Sequence, residues 1–128
     1  MRPGRELDAL VAEKVLSLEV VKNKKGGWSL GPPDYYDSYG EMILFNPLPS
    51  YSEDIAAAWE VLEKIRDTFD PLGREWRPNI HYSGKEHGWR AEFELSDDGP
   101  GDDTTYYFGE AKTAPHAICL AALNCHLE

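Results

Sequence analysis

The strongest constraint on this chain is a stripe of apolar residues, Ile55, Ala58, Trp59, Leu62, Ile65 and Phe69. On a helix these positions share an arc of about 120°, wide enough to demand a packing surface and too narrow for a helix buried all round. The spacing predicts a helix over residues 51–69. Ser50 and Glu53 stand at capping-box spacing at its start, with Ser52 as an alternative cap. Glu53, Glu60, Glu63, Lys64 and Asp67 occupy the far face as a solvated charge run, with Glu60 placed to support Lys64 one turn on. Trp59, the largest side chain of the stripe, is expected to be buried against a sheet.

The sheet is legible further along. Trp89, Ala91, Phe93 and Leu95 alternate with Arg90, Glu92 and Glu94, the period-two signature of a strand with one covered and one polar face. Residues 76–82 read as its hairpin partner across Ser83-Gly84-Lys85-Glu86-His87-Gly88, and a Gly/Asp-rich turn over 96–103 leads to a third strand over 104–111. Upstream, Leu7, Leu10, Val11, Val15 and Leu18 recur at helical spacing, which predicts a helix over residues 5–16 with Asp8 off the stripe. Short strands are expected at Glu19-Val20-Val21, around Trp28 and Leu30, and over residues 42–45, with an exposed loop over 35–40. A third helix starts at Pro115, whose missing N–H costs nothing in a first turn. The order is helix, two or three short strands, helix, three strands, helix. With hairpin-length connections this predicts an α+β fold, an α/β three-layer sandwich whose mostly antiparallel central sheet has helices on both faces. No repeat or internal boundary appears, so residues 1–128 are expected to form a single domain.

Composition narrows the function classes. A net charge of −10 opposes sequence-tolerant nucleic-acid binding, which requires clustered Lys and Arg, so no direct nucleic-acid binding is expected. An acidic surface of this kind also suits a nucleic-acid mimic. Neither a signal peptide nor a membrane span is visible, and a cytoplasmic location is expected. Cys119 and Cys125 lie six residues apart in a helical segment, about 120° apart around the axis, and read as reduced thiols of a cytosolic protein.

Catalytic patterns are missing from the sequence. His81, His87, His116 and His126 are scattered without metal-ligand spacing, and residues 97–103 lack the ligand alternation of a calcium loop. There is no G-x-S-x-G elbow, P-loop or dinucleotide fingerprint. The expectation is a non-enzymatic protein without cofactor or metal. A cluster of recognition-type residues remains: Tyr35, Tyr36 and Tyr39 in one loop, and Arg74, Trp76, Arg77 and Arg90 near the hairpin. Aromatics stack on planar ligands and Arg grips phosphate or carboxylate, so Tyr35, Tyr36, Arg74, Trp76, Arg77 and Arg90 form the candidate ligand site.

The third helix carries two apolar stripes. Ala114, Ile118, Ala121, Ala122 and Cys125 form a small-residue face suited to close packing on a sheet, and Leu120, Leu123 and Leu127 fall on another side with His116. One surface cannot bury both. The second stripe, His116, Leu120, Leu123 and Leu127, is therefore a candidate interface, covered either by the N-terminal helix of the same chain or by a second subunit in a homodimer.

Three segments together resemble a known family: Leu7-Asp8-Ala9-Leu10-Val11-Ala12-Glu13-Lys14-Val15, Tyr51-Ser52-Glu53-Asp54-Ile55-Ala56-Ala57-Ala58-Trp59-Glu60-Val61, and Ala111-Lys112-Thr113-Ala114-Pro115-His116-Ala117-Ile118-Cys119-Leu120-Ala121-Ala122-Leu123. They are similar to the phage ABA-sandwich family of small uncharacterised proteins. The resemblance implies a three-layer α-β-α fold and a phage or prophage source, hence the host cytoplasm, and it supplies no catalytic residues. It suggests a phage accessory protein that binds or sequesters a small anionic or nucleotide ligand in counter-defence. The alternative is an acidic protein-interaction module that inhibits a host protein.

Overall fold

A computed structural model describes residues 1–22, 27–30, 47–68, 76–95 and 105–126. Helix α1 (Arg5–Leu10) runs without interruption into a π-helical segment, Val11–Val15, in which the Leu16 N–H donates to the Val11 carbonyl at 3.1 Å. The extra residue in that turn leaves Val11, Ala12 and Val15 together in the core. Strands β1 (Val20–Lys22) and β2 (Trp28–Leu30) form a small antiparallel hairpin, joined to the following chain through a bridge between Ser29 and Pro47. Helix α2 (Ile55–Arg66) is followed by an antiparallel sheet of β3 (Trp76–Tyr82), β4 (Trp89–Leu95) and β5 (Thr105–Ala111), in that spatial order, and helix α3 (Ala114–His126) closes the described chain.

Register follows the sequence pattern. Trp76 pairs with Leu95 and Tyr82 with Trp89 across β3–β4, and Trp89 pairs with Ala111 across β4–β5. The period of two therefore puts Trp76, Pro78, Ile80, Ala91, Phe93, Leu95 and Gly109 on one face, where Ala91, Phe93 and Leu95 are buried. Gly109 is required there. A Cβ at this position would lie 2.5 Å from the Ala121 amide nitrogen and 2.7 Å from the Ala117 carbonyl oxygen, so only glycine lets α3 settle onto β5. Gly88, at φ 69°, turns the chain into β4, and a side chain there would collide with the Ala111 carbonyl.

α3 is the centre of the molecule. It packs on β4 and β5 with one side and on α2 and the π-helical segment with the other, and Ala117, Ile118, Cys119, Ala121 and Ala122 are all buried. Of the expected architecture, the described residues carry the mixture of helices and antiparallel strands. Among the described residues the strands divide into two sheets, and the helices gather on the Phe93 face of the three-stranded sheet. Among the described residues no helix covers the opposite face, where Arg77, Asn79, His81, Tyr106 and Phe108 are exposed. Among the described residues the fold is mixed α+β, with three helices and antiparallel sheets of two and three strands.

Two expectations about α2 are also corrected. The buried arc comprises Ala57, Ala58, Val61, Leu62 and Ile65, whereas Ile55 and Trp59 are 50% and 47% exposed. The helix is rotated toward α3 rather than the sheet, which leaves one edge of its apolar stripe uncovered. The cap is Asp54, whose carboxylate accepts from the Ala56 N–H at 3.1 Å. Ser50 and Ser52 serve another purpose. Asp8, expected off the apolar stripe, is fully buried: it accepts from the Ser52 N–H at 2.8 Å and the Ser52 hydroxyl at 2.6 Å, and pairs with Arg5 at 3.0 Å. Arg5 also donates to the Ser50 hydroxyl and to the Leu48 carbonyl, so one buried carboxylate ties α1 to the segment entering α2.

The predicted strand over 42–45, the loop over 35–40, the turn over 96–103 and Phe69 lie outside the described residues.

Candidate functional site

The rotation of α2 opens a groove of about 690 Å³ between that helix and the sheet. α2 lines it with Ile55, Trp59, Leu62 and Arg66, and the strands with Pro78, Asn79, Ile80 and Trp89. Lys112, Thr113, Ala114 and Pro115, where β5 hands over to α3, close it. The volume falls within the range of small-molecule sites. Trp89 is braced by Tyr82, with ring centroids 5.4 Å apart at 59°.

The charges in the groove are few and positive. Arg66 is held by Asp67 at 3.1 Å, a hydrogen bond that pushes its already high pKa further up. Lys112 makes no ion pair among the described residues. It stands beside the start of α3, where the aligned peptide dipoles leave a partial positive charge. The lining thus combines aromatic and aliphatic walls with a hydroxyl and two cations. It suits recognition of an apolar body carrying a negative end.

The residues picked out from sequence are distributed otherwise. Tyr35, Tyr36 and Arg74 lie outside the described residues. Trp76 sits on the covered face against Tyr107, with centroids 5.7 Å apart, at the end of the hairpin opposite to Trp89. Arg77 and Arg90 are on the opposite face of the sheet. Arg90 is already engaged, with Glu92 at 2.6 Å, Glu110 at 2.7 Å and the Phe108 ring 3.8 Å beneath its guanidinium. The hydrogen bond that Arg90 donates to Glu92, the largest of these influences, raises the Arg90 pKa and holds it charged. Trp76 and the two arginines therefore do not converge. What sequence reasoning missed was that Trp59 and Lys112 line one groove. The available signal was slight: Ala57 and Val61 extend the apolar stripe on the side away from Ile55 and Trp59, so the helix could bury either edge.

Of the second apolar stripe of α3, Leu123 is buried and Leu120 half-buried within the chain. Leu123 is 8% exposed, and Leu120 packs against the core with its Cβ over Gly109. His116 donates from Nε2 to the Met1 carbonyl at 2.6 Å. The π-helical segment and α2 supply the second surface that the two stripes demanded, so burying Leu123 calls for no second subunit. Leu127 lies outside the described residues. Cys119 and Cys125 are free thiols, each pushed by burial from 9.0 to about 12.

A second concavity, of about 470 Å³, lies on the other side of α2. Leu16, Leu18, Leu30 and Pro49 form its apolar part, and Glu60, Glu63 and Asp67 line it together with Lys64. No helix of the described residues is long and apolar enough to cross a membrane.

Fold and groove together define a small α+β domain with an open apolar cleft between a helix and a sheet. The chain belongs to the phage ABA sandwich domain family, whose family model matches residues 9–123. No curated protein and no solved structure matches it.

Proposed function

We propose that this chain is a non-enzymatic phage accessory protein that takes up a small anionic ligand in the groove between α2 and the sheet, sequestering it in counter-defence. The observation carrying this reading is the half-exposed Trp59 on the wall of a 690 Å³ groove that Lys112 also lines. An exposed Trp beside an exposed Ile55 leaves apolar surface in water, which a soluble chain retains where something covers it. The lining offers stacking, dispersion and positive charge, the means of holding an anion rather than transforming it. Isothermal titration of the full chain against mono-, di- and cyclic nucleotides and organic carboxylates tests the reading. Binding that is lost in Trp59→Ala supports it. If no anion binds tighter than about 1 mM, near −4 kcal/mol, the reading falls.

The acidic trough favours a second reading, an acidic module that occupies a basic surface on a host protein. Leu18, 39% exposed, lies in the same trough as Glu60, Glu63 and Asp67, a combination complementary to a basic amphipathic segment. Fluorescence anisotropy of a Lys/Leu-rich helical peptide at low and high salt tests it. Binding lost in Glu60→Lys with Glu63→Lys supports this reading, and equal binding by that variant removes it.

A further inference from the structure

The groove is far richer in apolar surface than in charge, and this balance narrows the ligand. Of its two cations, Arg66 is already paired with Asp67, which leaves Lys112 to meet an incoming anion. A polyphosphate or cyclic dinucleotide brings two or more negative charges. Those beyond the first would lose water against Ile80, Leu62 and the Trp rings without a partner, at a cost that apolar contact does not return. The chain's net charge of −10 adds a repulsion that grows with the charge of the ligand.

We propose that the groove selects a planar apolar monoanion, an aromatic carboxylate or sulfonate, whose ring system lies against Trp59 and Trp89 and whose single anionic head meets Lys112 at the start of α3. The inference rests on the groove reading above and specifies its ligand class. It uses two independent features of one cleft. Trp59 is kept half in water by the rotation of α2, and the strand-to-helix junction after Ala111 brings to the lining Lys112, which has no ion pair among the described residues.

The test uses the full chain and three probes: anilinonaphthalene sulfonate, its uncharged parent phenylnaphthylamine, and ATP as competitor. Both dyes gain fluorescence on entering the groove. In Lys112→Gln, the sulfonate is expected to bind about tenfold more weakly, the equivalent of one charge-assisted hydrogen bond, while the uncharged parent binds as before. In Trp59→Ala both dyes are expected to weaken. ATP at millimolar concentration is expected to displace neither. Because Lys112 and Trp59 are solvent-exposed, both variants fold, and unchanged circular dichroism verifies it. If the sulfonate is indifferent to Lys112→Gln, or if ATP displaces it stoichiometrically, the monoanion assignment is overturned while the groove remains a binding site. If Trp59→Ala changes neither dye, the groove binds neither of them, and the ligand-binding reading falls with the assignment.

Discussion

Asp8 has no solvent-exposed surface, yet it keeps its charge company: the Arg5 guanidinium and two donors from Ser52 occupy its oxygens. Removing the carboxylate would leave the buried Ser52 N–H without its acceptor and take one of three partners from Arg5. Asp8→Ala should cost about 2 to 4 kcal/mol in urea unfolding, and Asp8→Asn less, because the amide still accepts one of the bonds. Nothing in the periodicity reveals this, since an acidic residue in an N-terminal turn normally reads as solvated. Trp59 teaches the converse. It matches the helical spacing of a buried residue, and emptying a buried Trp site costs about 3 to 5 kcal/mol. At 47% exposure Trp59→Ala should cost under about 1.5 kcal/mol, measured by the same unfolding. Gly109 is the residue whose smallness matters most. Gly109→Ala should lower stability by about 2 kcal/mol or more, because the new methyl meets α3 backbone that cannot move aside.

At the scale of elements, α2 was legible as a helix because an apolar stripe of that length has few other uses. Its cap and its rotation were not. Ser50, Ser52 and Asp54 all have capping chemistry, and the choice among them depends on Asp8 and Arg5, which are more than forty residues away and claim the two serines. Asp54→Ala should cost about 1 kcal/mol of stability, with the loss confined to the start of α2 in amide exchange. The β3–β4–β5 meander was readable nearly residue by residue, since alternation in β4 fixes the register of both neighbours. The layering was less so. Alternation shows that a strand has a polar face, but not whether a helix with polar contacts covers it. In α3 the thiols make a pH prediction. Burial raises Cys119 and Cys125 to about 12, so the stabilisation from their neutral form is present below 9.0 and is lost as pH rises toward 12. Tyr51, also raised, mainly by burial, acts in the same direction above 10.0. Between pH 9 and 10 the decline should therefore flatten in Cys119→Ala, as followed by urea midpoints across that interval.

For the whole molecule, the covering of Leu123 within the chain changes what its substitution reports. Leu123→Glu should unfold the protein, seen as a lost melting transition, instead of dissociating an assembly of intact subunits in light scattering. The same enclosure of α3 has a kinetic side. A helix walled by β4 and β5 on one flank and by α2 and the π-helical segment on the other cannot be released by opening either flank alone, so its amides should exchange only through global unfolding. The contact between Val11–Val15 and α3 also joins regions about a hundred residues apart, a long loop to close before either surface is sealed. During synthesis Leu7, Val11 and Val15 must wait in water until Ile118 and Leu123 have left the ribosome. Nascent chains arrested before that point should be cut readily by protease, and chains arrested well beyond it should resist.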